Sequence, residues 1–123
     1  MKIEINDRRK ILEVQREFNM IFPYLKLEFF SKTHKPGDST AKMFIKPYHK
    51  TLGECSTVNN KGKILITPEM SVNDLEQSFG SIYGLGVQVF RKSGNVWLET
   101  TVTDAWTLYE QNRQGEELSN AHA

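Results

Sequence analysis

Cys55 directly follows Glu54 and stands six residues after His49, the one place in this chain where a nucleophile and a base could be drawn together. A thiol does such work when a base or a cation holds it as thiolate. Adjacency across the intervening turn has no other support in the sequence, and a single cysteine reads as a small buried or edge residue. Glu99, Asp104 and Glu110 offer the paired carboxylates of glycoside hydrolysis. That chemistry also needs a deep cleft, which a 123-residue chain without insertions hardly forms, so the three read as a charged strand face and helix caps. His34 and His49 sit in polar loops and His122 in the tail, none spaced with a second ligand as a metal requires. Gly80, Gly84, Gly86 and Gly94 form no cluster between a strand and a helix start, where amides would converge on a phosphate. No cofactor is implied, and the expectation is a binding protein rather than an enzyme, with a small cysteine-dependent enzyme as a distant third reading.

Binding chemistry is better represented. Aromatic and cationic residues interleave at Phe29, Phe30, Lys32, His34 and Lys35, at Phe44, Lys46, Tyr48, His49 and Lys50, and at Phe90, Arg91, Lys92 and Trp97. Sheets that bind nucleic acid stack bases on exposed aromatics while lysines hold phosphates. The aromatic-and-glycine strand motif of RNA-recognition domains is absent, however, and the net charge is only +1. In the stretch "GVQVFRKSGNVWLETT", Phe90 and Trp97 alternate out of phase with Val87, Val89, Val96 and Leu98. If the valines face the helices, Phe90, Trp97, Gln88 and Glu99 share the opposite face, a composition suited to protein docking. Alternatively, Trp106, Leu108 and Tyr109 fold back to cover that face, the arrangement favoured here. The partner-binding candidates are Phe90, Arg91, Lys92, Trp97, Glu99, Lys46, Tyr48 and Lys50. A protein partner or a second copy comes first, and nucleic acid is the alternative.

The elements that position these residues follow from periodicity. "KIEI" alternates as a half-buried strand, Asp7 can accept from the first amides of a helix, and Ile11, Val14, Phe18, Ile21 and Phe22 form its apolar stripe. Pro23 stops it. "LKLEFF" is a second strand with Leu25, Leu27 and Phe29 on one side, which makes Phe29 core. Ser31 to Lys42 reads as an exposed loop. Pro47 allows at most an edge strand before Thr51. "KILIT" is a strand, Ser71 with Asp74 resembles a capping box, Val72, Leu75, Phe79 and Ile82 continue a stripe, and Gly84 is a left-handed stop. A hairpin follows around "KSGN". Thr107 or Asp104 caps a last short helix, and the tail should fray.

Ile3 to Leu27 spans 24 positions and Ile64 to Val89 spans 25, so two β-α-β units recur. They suggest one α+β domain over residues 1–115, a ferredoxin-like split β-α-β sandwich with an added C-terminal hairpin strand and short helix, followed by a frayed tail over 116–123. The alternative is a β-grasp-like sheet wrapped on the second helix, with the first helix outside.

Eight lysines oppose three acids between Lys26 and Lys63, whereas three cations oppose eight acids from Ile64 onward. A basic middle and an acidic tail can steer an anionic partner or dock one copy on another. A single cysteine fits a reducing compartment, and no apolar run suits a signal peptide or a membrane span, so a cytoplasmic protein without membrane contact is expected.

At "FPYLKLEFFSK", "TLGEC" and "GLGVQVFRKSGNVWLETTVTDAWTLYEQN" the chain resembles a small family of uncharacterised cytoplasmic proteins found mainly in Bacteroidota. The likeness runs from Met1 to about Gly115. It implies a free-standing single-domain protein and brings no activity, substrate, cofactor or assigned site.

Overall fold

A computed structural model describes residues 1–31, 43–58 and 60–121. The loop expected from Ser31 to Lys42 therefore falls, apart from Ser31, outside the described residues, as do His34 and His122. Along the chain run β1 (Lys2–Ile5), α1 (Ile11–Ile21), β2 (Leu25–Ser31), β3 (Met43–Phe44), α2 (Leu52–Cys55), β4 (Gly62–Leu65), α3 (Val72–Tyr83), β5 (Gly86–Ser93), β6 (Val96–Glu99) and α4 (Leu108–Ala121). The class is α+β, with every strand pair antiparallel: a two-stranded ribbon β1-β4 and a four-stranded sheet β3-β2-β5-β6.

That division departs from the expected split β-α-β sandwich, which interleaves two units in one sheet. Here the two strands of each unit part company: β1 and β4 form the ribbon, while β2 and β5 pair at the centre of the larger sheet. Sequence spacing measures only the helix crossing, and a crossing from ribbon to sheet is as long as one within a sheet. The β-grasp-like arrangement fails too, because α1 is not outside. Its Ile11, Val14 and Phe18 are fully buried in the same core as Val72, Leu75 and Phe79 of α3 and Ile3, Ile5, Ile64 and Ile66 from the ribbon and its extension.

The likeness of the two units goes further than their spacing. The order β-α-β-β-α occurs twice, as β1-α1-β2-β3-α2 and β4-α3-β5-β6-α4. Buried residues recur at an offset of sixty-one positions, Ile3 with Ile64, Ile11 with Val72, Val14 with Leu75 and Phe18 with Phe79. Antiparallel pairing of β1 with β4 and of β2 with β5 then relates the halves by a pseudo-twofold axis. Helix starts match as well. The first amides of α1, from Ile11 and Leu12, donate to the carbonyls of Lys50 and Tyr48, and those of α3, from Val72 and Asn73, donate to Trp106 and Asp104. These bonds satisfy donors that a helix start leaves orphaned. Asp7, expected to cap α1, does not: Asn6 Oδ1 accepts from Arg8 and Arg9 in the preceding turn, and Glu13 closes the first turn by accepting from the Lys10 amide. Both α2 and α4 start on a Thr-Leu-x-Glu sequence. Thr51 and Thr107 accept from the amides of Glu54 and Glu110, and Leu52 and Leu108 plug into the core.

The remaining boundaries follow local chemistry. Asp74 N–H donates to Ser71 at the start of α3, and Gly84 ends it at φ 61°. Gly94, at φ 62°, takes the first place of a two-residue hairpin loop. The added strand extends the sheet as expected, through β6. The last helix is not short, and α4 continues to Ala121 where a frayed tail was expected after Gly115. Gly115 is the reason: a Cβ there would come within 2.9 Å of the Tyr24 Cβ, so its absence lets α4 lie directly on the sheet. Asn112 holds the contact by accepting from the Tyr24 amide.

Truncating Phe79, whose ring meets Phe29 edge-on at 5.9 Å, is expected to cost about 3 to 5 kcal/mol. Thr107→Ala, which removes one cap, should cost about 1 kcal/mol. Urea unfolding of both variants checks the pair, and a Thr107→Ala protein as stable as the parent would show that the start of α4 is held by something else.

Candidate docking face on the four-stranded sheet

Strand alternation sorts the sheet into two sides. Leu25, Leu27 and Phe29 stand opposite Arg91, Val89 and Val87, and this side carries the core. On the other side Lys26 faces Phe90 and Glu28 faces Gln88, with Trp97 opposite Lys92, Glu99 opposite Phe90, and Phe44 opposite Phe30. No described helix crosses this second side, but Glu28 and Gln88 are buried on it, at 3% and 1% exposure, so its accessible part lies toward Lys26, Phe90 and Trp97. Leu108 is fully buried in the core and Trp106 lies over Arg91 on the helix side, so the last segment does not cover the aromatic face, contrary to expectation. Tyr109 is exposed.

The centre of the open face is a lysine. Lys26 Nζ lies 5.4 Å from the Phe90 ring centroid and 5.0 Å from that of Trp97, within the range of cation–π attraction. It also pairs with Glu28 at 3.4 Å. Glu28 is only 3% exposed, and Tyr48 donates its hydroxyl to that carboxylate, with the two oxygens at 2.9 and 3.0 Å. A carboxylate this buried is tolerable because both a cation and a hydroxyl answer it. Tyr48 reciprocates in its titration. Burial first, then the hydrogen bond to Glu28 and its negative charge, push the phenol from 10.0 up to about 12. Phe44 extends the aromatic row, edge-on to Phe30 at 6.1 Å and to Phe90 at 5.6 Å, and Lys46 Nζ hangs 5.8 Å from the Phe44 ring.

Beside the face runs a cleft of about 340 Å³, lined by Leu12, Gln15 and Arg16 of α1 and by Lys26, Tyr48 and Trp97. α1 can lie there because it closes the rim of β2. Gln15 and Asn19 donate their side-chain amides to the outward carbonyls of Leu27 and Leu25, both at 2.9 Å. A larger cleft of about 760 Å³ opens between the β1–α1 turn and β4, but Glu4, Asp7, Arg8, Lys61 and Lys63 line it and its one apolar residue, Ile5, is buried.

Six of the eight candidates assemble here. Phe90, Lys92, Trp97 and Glu99 share the open face, and Lys46 and Tyr48 flank it. Arg91 does not: it points to the helix side, donating to Gln111 at 2.9 Å with its guanidinium 5.7 Å from the Trp106 ring. Lys50 is exposed beside Cys55, and its carbonyl is spent on α1. Lys26 and Glu28 were missed. Their parity with Phe30 in "LKLEFF" was legible, but only the β2–β5 register sets Lys26 against Phe90. Cys55 is half-buried, and burial pushes its thiol up, with Lys50 opposing and Glu54 adding to the rise. No three His, Cys, Asp or Glu side chains among the described residues gather as a metal site, and no described helix is long and apolar enough to cross a membrane.

No family model, curated protein or solved structure matches this chain.

Tyr48→Phe leaves the buried Glu28 without its hydroxyl partner and should cost about 1 to 3 kcal/mol at neutral pH. The sign of the pH effect follows from the raised phenol. The folded state holds the proton longer, so this stabilisation is complete below pH 10.0 and is lost as pH climbs through about 12. Spectrophotometric titration of the native protein should show a late phenolate component that Tyr48→Phe lacks. A parent titration with no such component would contradict the burial of this pair.

Proposed function

We propose that the chain is a non-enzymatic binding module that docks a protein partner on the Lys26, Phe90 and Trp97 end of this face of the four-stranded sheet. One observation carries the reading: Lys26 is held in advance over Phe90 and Trp97 and against the Glu28–Tyr48 pair, on a face that no described helix covers. A rigid aromatic area with a fixed charge at its centre is what protein hot spots use, since little side-chain freedom remains to be lost on docking. The raised Cys55 thiol supports binding over cysteine chemistry, because a thiol pushed up is less of a nucleophile at neutral pH. We propose in addition a cytoplasmic location, which the single cysteine supports because a lone thiol suits a reducing compartment, and kinship with the small Bacteroidota family that the sequence resembles.

Nucleic acid is the second reading, favoured by Lys26, Lys46 and Lys92 beside Phe44, Phe90 and Trp97. Against it, lysine ammonium groups already occupy positions over the Phe44, Phe90 and Trp97 rings, where bases would stack.

The test is retention of proteins from nuclease-treated lysate on the immobilised parent and on the Lys26→Met, Trp97→Ala double variant, with folding followed by circular dichroism. Retention by the parent that falls at least tenfold in the folded variant is the expected result. Equal retention by both removes the face from the function, and salt-sensitive capture of mixed oligonucleotides that is lost in the variant would transfer it to the nucleic-acid reading.

A further inference from the structure

The two rims of the four-stranded sheet are treated differently. On the β3 side the strand is two residues long and Pro47 follows shortly, while α1 amides occupy the carbonyls of β2 beyond it. Shortness, proline and covering side chains are the usual ways to blunt an edge. β6 is twice as long, and among the described residues none bonds its outward backbone groups. Its sequence, Val-Trp-Leu-Glu, holds no lysine and no proline, and two of its four residues, Val96 and Trp97, are β-formers. Leu98 stands opposite Arg91, whose own polar backbone faces β6, so the amide and carbonyl groups of Trp97 and Glu99 point outward along the rim.

Apolar exposure concentrates at the same place. Val96 and Leu98 have the parity of the core side, as their alternation implied, yet they are 56% and 43% exposed, and Val102 just beyond is 98% exposed. The cause is the position of α4, which packs chiefly on β5 and β2 and leaves the core side of β6 half-exposed.

We propose that β6 pairs antiparallel with β6 of a second copy, joining two four-stranded sheets into one. The strand is self-complementary in a single register, with Leu98 opposite Leu98 of the other copy. Trp97 then exchanges both backbone hydrogen bonds with Glu99 of the other copy, which satisfies all the outward groups of both strands. On the core side the two Leu98 side chains meet at a non-hydrogen-bonded pair, the closest kind of cross-strand neighbour. On the open face each Glu99 lies beside Trp97 of the other copy, in line with its Lys92, so the one charge on the strand never meets its like. A register shifted by one residue on each strand toward the C-terminus would put Glu99 against Glu99, and the reverse shift would leave Glu99 against Asn95. The chain already uses this geometry within itself, since its two halves join through the antiparallel β2–β5 pair.

The pairing borders the docking face at Trp97 and Glu99, but Leu98, where it is tested, lies on the opposite side of the sheet from Lys26. Disulfide trapping tests it in a Cys55→Ser background. At the proposed register the Leu98 Cα atoms are about 4.5 Å apart, inside the span of about 4.4 to 6.8 Å that a disulfide bridges. Leu98→Cys should form a covalent dimer under mild oxidation at least tenfold faster than Val102→Cys, a more exposed control. Sedimentation of the unmodified chain should show a concentration-dependent dimer, and Leu98→Asp should be monomeric with an unchanged circular dichroism spectrum. Equal trapping at the two positions, or a parent that stays monomeric in concentrated solution, overturns the proposal.

Discussion

The antiparallel register of β2 on β5 is the constraint on which the rest depends. Setting Leu27 against Val89 puts Leu25, Phe29, Val87 and Arg91 on the helix side and leaves Lys26, Glu28, Gln88 and Phe90 on the other. A slip of one residue would turn every one of these side chains over. The core enforces the register, because Leu25, Leu27, Phe29 and Val89 are fully buried and none could be exposed without loss. The charged centre of the open face is therefore a consequence of apolar packing on the other side. Lys26 meets Phe90 because Leu27 must meet Val89.

The helices α1 and α3 serve this sheet twice over. Each buries a stripe against it, and each also reaches round to an outward backbone group. Gln15 of α1 donates to the Leu27 carbonyl, and Glu76 of α3 accepts from the Val89 amide, at matching places in the two halves. The halves diverge where function is proposed. The β2 half presents Lys26 and Glu28, with Tyr48 arriving from the segment that caps α1, whereas the β5 half presents Gln88 and Phe90. Divergence within a near-repeat turns a symmetric frame into a one-sided surface.

Much of the frame was legible in the chain itself. The stripes at Ile11, Val14 and Phe18 and at Val72, Leu75 and Phe79, the Ser71 cap, the Gly84 stop and the hairpin around Gly94 all rest on short-range rules that act within a few residues. Strand pairing is not short-range. Nothing near Ile3 or Leu25 tells which sheet each will join, so the ribbon went unseen and Arg91 was grouped with Phe90 by adjacency, although neighbours in a strand point to opposite sides. The reach of α4 to Ala121 was hidden for a similar reason, since Gly115 reads as a helix breaker until Tyr24 is found beneath it. Lys26 and Glu28 looked like ordinary solvated charges because their partners, Trp97 and Tyr48, lie far along the chain.

Lys26 is held in advance by Trp97 rather than merely lying near it. A double-mutant cycle on folding stability, with Lys26→Met, Trp97→Ala and the two combined, measures that link directly by urea unfolding. The expected coupling is about 0.5 to 1 kcal/mol, with the double variant losing less than the two single losses together. Strictly additive losses would mean that lysine and indole do not hold one another, and the pre-ordered docking face would lose its anchor.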